Sequence, residues 1–164
     1  MIYPLFFRTR FGSFRLDATR RGLYALDRAR GSKSAGTKIP SQVAGLLKKA
    51  SRQLRAYLQG KKVSLEKFPI DWSGHSIFEK RVLRELAKIP YGETQSYQLL
   101  AAKAARPTAQ RYVGRILHKN RLPLFLPCHR IVPKEGGLGG FSKGAAWKRR
   151  LLKLEGVRIN RLSR

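Results

Sequence analysis

The chain is poor in cysteine, in carboxylates and in long apolar runs. A single cysteine, Cys128, stands among 164 residues. One thiol excludes an internal disulfide. With His75, His118 and His129 as the remaining soft ligands, it also argues against a structural zinc, and neither a metal nor a cofactor is expected. Nine acidic residues face 36 Lys and Arg, which leaves a net charge of +27. A field of that sign attracts polyanions and gains from releasing their counterions, so nucleic acid is the leading expected partner. No apolar stretch is long enough to span a bilayer, and no basic amphipathic helix stands apart from a core, so no membrane partner is expected. The opening MIYPLFFRTRFGSF lacks the charged lead-in and the length of a secretion signal, and a cytoplasmic location is expected, at the nucleoid in a prokaryote. Against these scarcities, 42% of the residues are hydrophobic, enough for a real core.

The chain has no internal repeat and no low-complexity tract. Its first 30 residues are rich in Phe, Tyr, Leu and Arg and are broken by Gly12 and Gly22, which predicts two or three short antiparallel strands with ATRRGLYAL as a hairpin. RARGSKSAGTKIP reads as a polar, mobile loop. Ser41 is expected to cap a helix in which Val43, Leu46, Leu47, Ala50, Leu54, Tyr57 and Leu58 keep a helical period until Gly60. Ser76 and Glu79 form the S-x-x-E capping pattern, and Phe78, Val82, Leu83 and Leu86 line one face of the helix behind it. A short helix follows over about 97–104. The next opens with Pro107 in its first turn and runs to about Lys119. Ser142 is expected to cap a last helix in which Trp147, Leu151 and Leu154 share a face, ended by Gly156. The fold class is α+β. Residues 1–66 are expected to form a small antiparallel-sheet subdomain with a helix, of structural role. Residues 67–164 form a helical subdomain.

The chemistry concentrates in LPCHRIVP, residues 126–133. A lone cysteine usually behaves as a small buried hydrophobe. It becomes a nucleophile when a histidine, cations or a helix N-terminus favour its thiolate. His129 is adjacent, but neighbouring side chains of an extended segment point to opposite faces, so contact would need a local turn or a bridging water. His129 in turn needs an orienting carboxylate, and Glu155 is the candidate, since an acid sits poorly at a helix C-terminus without a reason. Upstream, the pair of short helices fits a helix-turn-helix, and Arg111, Arg115 and Lys119 recur at i, i+4 and i+8 as one cationic stripe. The glycines of GGLGGF permit positive φ or close approach of backbone to a flat ligand.

Pro127 to Ile131, IPYGETQSYQLLA and ARPTAQRYVGRILHKN resemble the methylated-DNA–protein-cysteine methyltransferases, also called O6-alkylguanine-DNA alkyltransferases, over about Phe68 to Val157. The resemblance implies a protein that binds duplex DNA through the minor groove, as a monomer. It flips an alkylated guanine out and accepts the alkyl group irreversibly on its own cysteine. Carried over by position, Cys128 is the acceptor, His129 takes its proton through a water, and Glu155 holds His129. Tyr97 donates toward the departing guanine and crowds its phosphate, and Asn120 braces the turn that carries Cys128. Arg111 fills the gap left by the base. Arg115, Lys119, Thr94 and Arg130 are expected on DNA. Pro123, Ile131, Gly139, Gly140, Phe141 and Ser142 are expected around the substrate pocket. Phe141 stands where many relatives have tyrosine, and Arg115 where they have a small residue. Two other readings compete. One is a basic, non-catalytic nucleic-acid-binding protein whose cysteine is merely core. The other is a cysteine hydrolase using His118 as base.

Overall fold

The computed structural model describes residues 1–29 and 38–158. Of the loop expected over residues 28–40, residues 30–37 lie outside the described residues, and Arg28 belongs to the third strand. Two compact units divide the chain, Met1–Ser73 and Gly74–Arg164. The α+β class read from the sequence is the class of the fold.

The first unit holds strands β1 (Tyr3–Thr9), β2 (Gly12–Thr19) and β3 (Gly22–Arg28), paired antiparallel in the order β1-β2-β3. Helix α1 (Ser41–Leu58) packs on this sheet. Phe14, Leu16 and Ala18 alternate along β2 and are buried, as a one-sided sheet requires, and Val43, Leu47, Ala50, Leu54 and Tyr57 meet them from the helix. Pro40, not Ser41, is the N-cap, and no side chain caps this helix. A proline has no N–H to satisfy, and Ser41 falls at the first helical position instead. The hairpin turn after Thr19 is tied to the end of the unit. Leu23 N–H donates to Pro69 O (2.8 Å) and Asp71 N–H to Leu23 O (2.8 Å). Gly22, at φ +146°, is required here, because a Cβ would meet Pro69 O at 2.5 Å.

The second unit begins with α2 (Ile77–Ala87), whose capping box is complete: Glu79 N–H donates to Ser76 Oγ and Ser76 N–H to Glu79 Oε2. Helices α3 (Tyr97–Lys103) and α4 (Gln110–His118) pack on α2 and on each other, and α5 (Ala145–Leu154) closes the unit. Pro107 lies in the turn before α4 rather than in it. The break is instead made by Ala105 at φ +62°: its N–H reaches Ala102 O and that of Arg106 reaches Ala101 O. This is a Schellman-type ending without its usual glycine. Ser142 does not cap α5; Gly144, at φ +94°, holds that position. Strands β4 (Gln95–Ser96) and β5 (Ile131–Val132) pair in parallel. Among the described residues no helix is long and apolar enough to cross a membrane.

Candidate active site

The site is built on the residues that follow α4. Asn120 is buried, and its side chain is used at both ends. Oδ1 accepts from Leu122 N–H (3.0 Å), while Nδ2 donates to Leu126 O (2.9 Å) and to Cys128 Sγ (3.1 Å). The intervening loop holds Leu124 at φ +75°, a strained setting that the Asn120 contacts and the Pro123–Leu126 bridge over-determine. Cys128–Arg130 then forms a single 3-10 turn. Side chains in such a turn are set at three per revolution, not on alternate faces. Cys128 therefore turns to Asn120 and His129 to Glu155.

His129 is fully buried, with Nε2 2.8 Å from Glu155 Oε1. Arg130 grips the same carboxylate, with Nε 2.9 Å from Oε2 and Nη2 2.9 Å from Oε1. Its Nη1 donates to Ile89 O at 2.6 Å. Gly92 N–H adds a further bond to Glu155 Oε2 (3.0 Å). Glu155 is the C-terminal cap of α5, held there by the turn through Gly156 at φ +78°. Burial alone would raise its pKa, but the hydrogen bonds from His129 and Arg130 outweigh it and hold the carboxyl at about 2. Burial also keeps the His129 pKa below the usual imidazole value, against the pull of Glu155. The imidazole is thus neutral at neutral pH and able to accept a proton.

Cys128 lines a cavity of about 220 Å³ with Tyr97, Gly114, Leu117, His118, Gly140, Phe141 and Ser142. Tyr97 opens α3 directly after β4, so the β4–β5 pairing sets it against the segment that follows Cys128. Its hydroxyl donates to Gly140 O at 3.3 Å. Gly139, at φ +65°, packs against the Pro133 ring, where a Cβ would come within 2.8 Å. Burial raises the Cys128 pKa, and the Asn120 bond and the Lys148 and Lys143 charges act the other way. Burial raises the Tyr97 pKa too, helped by Cys128. The resting groups are therefore a thiol and a phenol, each holding a proton.

Lys148 was not foreseen. It sits on the inner face of α5, fully buried, and donates to Ile131 O at 2.6 Å. Burial lowers its pKa to about 8. The helical period of α5 puts Lys148, Leu151 and Leu152 inward, whereas the expected stripe of Trp147, Leu151 and Leu154 is rotated from it. A reading by apolar residues alone assigns a lysine to solvent.

The other expected residues fall in several places. Arg111 and Arg115 are exposed on α4 and Lys119 at its C-terminal cap, and Thr94 is half-buried. Arg111 and Tyr97 line a neighbouring groove of about 230 Å³ with Ser96, Gln98, Gln110 and Pro133. Arg130, expected on DNA, is only 6% exposed and is turned inward to Glu155, so its charge is spent inside. Pro123 and Ile131 are buried and, with Gly139, are not among the residues that line the cavity of Cys128.

Residues 77–157 match the family model described as the 6-O-methylguanine DNA methyltransferase DNA-binding domain. A methylated-DNA–protein-cysteine methyltransferase of Methanosarcina barkeri is 36% identical over 148 residues, covering 88% of this chain and 90% of that one. The crystal structure of the O6-methylguanine methyltransferase of Mycobacterium tuberculosis aligns with TM-score 0.76 at 31% identity, over 94% of this chain and 93% of that one. The M. tuberculosis OGT solved in complex with DNA aligns with TM-score 0.76 at 30% identity, over 94% and 92%. A family match over the unit that carries Cys128, Asn120, His129 and Glu155, and a relative aligned over nearly the whole of both chains, place this chain in the methylated-DNA–protein-cysteine methyltransferase family.

Proposed function

We propose that this protein repairs DNA by moving the alkyl group of an O6-alkylguanine onto Cys128, once per molecule. The observation that carries this reading is the position of the sulfur. The chain's only cysteine lines a cavity beside Tyr97 and α4, held by Asn120 and backed by the His129–Glu155 pair.

His129 takes the thiol proton by way of a water, and Glu155 steadies the imidazolium that results. The charge of Lys148 favours the thiolate. The sulfur attacks the alkyl carbon in line. The S–C bond forms as the C–O6 bond breaks, and the electron pair stays on guanine. Tyr97 supplies the proton that the departing base needs and regains one from His129. A thioether is left on Cys128, which has no route back to the thiol, so each molecule acts once.

The target atom cannot be reached inside a duplex, so the base must be flipped out. The protein acts as a monomer, with α4 in the minor groove and Arg111 filling the vacated stack. Such insertion offsets part of an unstacking cost of a few kcal/mol. Lys119, Arg115 and Thr94 act on the backbone, and backbone groups of Gly140 and Ser142 read the guanine edge. A minor-groove approach suits a repair protein, because that groove carries little sequence information.

Mass spectrometry after incubation with a duplex containing O6-methylguanine tests the proposal. The expected result is one added methyl on the peptide bearing Cys128, with yield limited to one per protein. An unchanged mass would leave a non-catalytic DNA-binding protein. A transient acyl group with turnover of an ester would favour a hydrolase.

A further inference from the structure

Four side chains of the second unit form a column that the transfer chemistry does not use. The guanidinium of Arg106 lies 4.6 Å over the Phe78 ring. Phe78 and Tyr112 are stacked, with ring centroids 5.6 Å apart and an interplanar angle of 15°. The guanidinium of Arg115 lies 5.3 Å over the Tyr112 ring. Each member comes from a different local cause. Phe78 stands one residue inside the capped start of α2. Arg106 is delivered by the Ala105 turn at the end of α3, and Tyr112 and Arg115 are one turn apart on α4.

The column is costly to explain as packing alone. Phe78 is 9% exposed, whereas Tyr112 is 37% exposed and both arginines are exposed. Among the described residues, neither Arg106 nor Arg115 has a carboxylate in ion-pair contact. A guanidinium held over a ring is attracted through the ring face and keeps N–H groups free for a further partner. A free arginine must give up rotamer entropy when it grips a phosphate; one already held on a ring gives up less.

We propose that Arg106, Phe78, Tyr112 and Arg115 form a stacked clamp that presents two preset cations to the phosphate backbone of duplex DNA beside α4. This rests on the reading of the protein as a DNA-binding repair protein. It assigns Tyr112 as a positioning residue, acting through Arg115, and adds Arg106 as a phosphate contact outside the stripe of Arg111, Arg115 and Lys119. Duplex DNA is favoured over an acidic protein because Arg115 belongs to the exposed cationic stripe of α4, and Arg106, also exposed, is joined to it through the Phe78–Tyr112 stack. Charge repeated along a ridge is matched by a polymer of regularly spaced phosphates.

The test is binding of the full chain to an undamaged fluorescent duplex, measured by anisotropy over a range of salt. Arg115→Gln and Arg106→Gln are each expected to reduce the slope of log K against log salt by about 0.9, the loss of one phosphate contact. Tyr112→Leu keeps the charge, so the slope should hold while affinity falls about 2- to 5-fold. In the Arg115→Gln background, Tyr112→Leu should cost nothing further, an outcome that a merely structural role would not produce. Slopes unchanged by both glutamines would overturn the clamp. So would an equal penalty for Tyr112→Leu in both backgrounds, or weakened binding to anionic lipid vesicles with DNA binding intact. Methylation of Cys128 in the wild-type chain by free O6-methylguanine is read separately by mass. Its failure would bear on the transfer reaction and leave the anisotropy result standing.

Discussion

The two units bury polar groups for different ends. Among the described residues of the first, Asp17, Ser51 and Asp71 are the buried polar or charged side chains other than tyrosine. Asp71 fastens a hairpin to its own unit, accepting from Thr19 Oγ1 (2.6 Å) and Ser73 N–H (2.9 Å). In the second, Asn120, His129, Arg130, Lys148 and Glu155 are all buried around one short segment. Ties of the first kind are few and leave an apolar core intact. Those of the second kind accumulate ionised groups where desolvation is expensive, a cost that folding alone gives no reason to bear. The contrast identifies the second unit as the one shaped by chemistry.

The sharpest way to break that contrast is to remove the carboxylate. Glu155→Gln leaves Arg130 and His129 without their shared partner, and a loss of about 3–5 kcal/mol is expected in the second unit. The first unit should be unaffected. The two tryptophans, Trp72 and Trp147, lie one in each unit, so single-tryptophan variants unfolded in urea separate the effects. Equal losses in both units would erase the distinction.

Acid should part the units next. Burial holds the His129 pKa below its ordinary 6.5, so its contribution is present above pH 6.5 and is lost as pH falls below it. Asp71, lowered to about 2 by its Thr19 and Ser73 bonds against the opposing effect of burial, contributes above its ordinary 3.8 and is lost as pH falls toward 2. All three histidines, His75, His118 and His129, lie in the second unit. Between pH 6.5 and 5 the melting of the second unit should therefore drop while that of the first holds. A parallel drop would show that His129 does not control the response.

Asp71→Ala is the counterpart in the first unit. It removes the carboxylate that accepts from the Thr19 hydroxyl and the Ser73 amide and should cost about 1–3 kcal/mol there. The rate of alkyl transfer by the folded protein should stay unchanged; a slowed rate would give the first unit a part in the chemistry. The smallest effect is a gain. Ala105 adopts a left-handed conformation that glycine takes without strain, so Ala105→Gly should stabilise the second unit by about 1 kcal/mol. A loss on thermal melting would mean that the alanine side chain contributes packing not evident in the turn.

Much of the architecture was legible because it is written in short-range periods. The alternation of Phe14, Leu16 and Ala18, the apolar stripe of α1 and the Ser76–Glu79 box each depend on residues within a few positions of one another. Caps were less legible. Ser41 and Ser142 have the right chemistry, but Pro40 and Gly144 occupy the capping positions, because backbone dihedrals decide where a helix begins. Arg130 misled for another reason. An arginine in a basic protein reads as a surface charge, and only the position of Glu155, 25 residues away, turns it inward.

By itself the sequence determined the class of fold, the strongly cationic character and the one sulfur that could act, since composition and local spacing carry those directly. Only the tertiary structure decided that Arg130 shares Glu155 with His129, that the two-residue β4–β5 pair sets Tyr97 beside Cys128, and that Lys148 and the Gly92 amide belong to the site. These contacts join residues far apart in the chain through single bonds or two-residue ladders. Such links leave no periodicity to read, because their energy comes from burial in a shared interior and not from neighbours along the backbone.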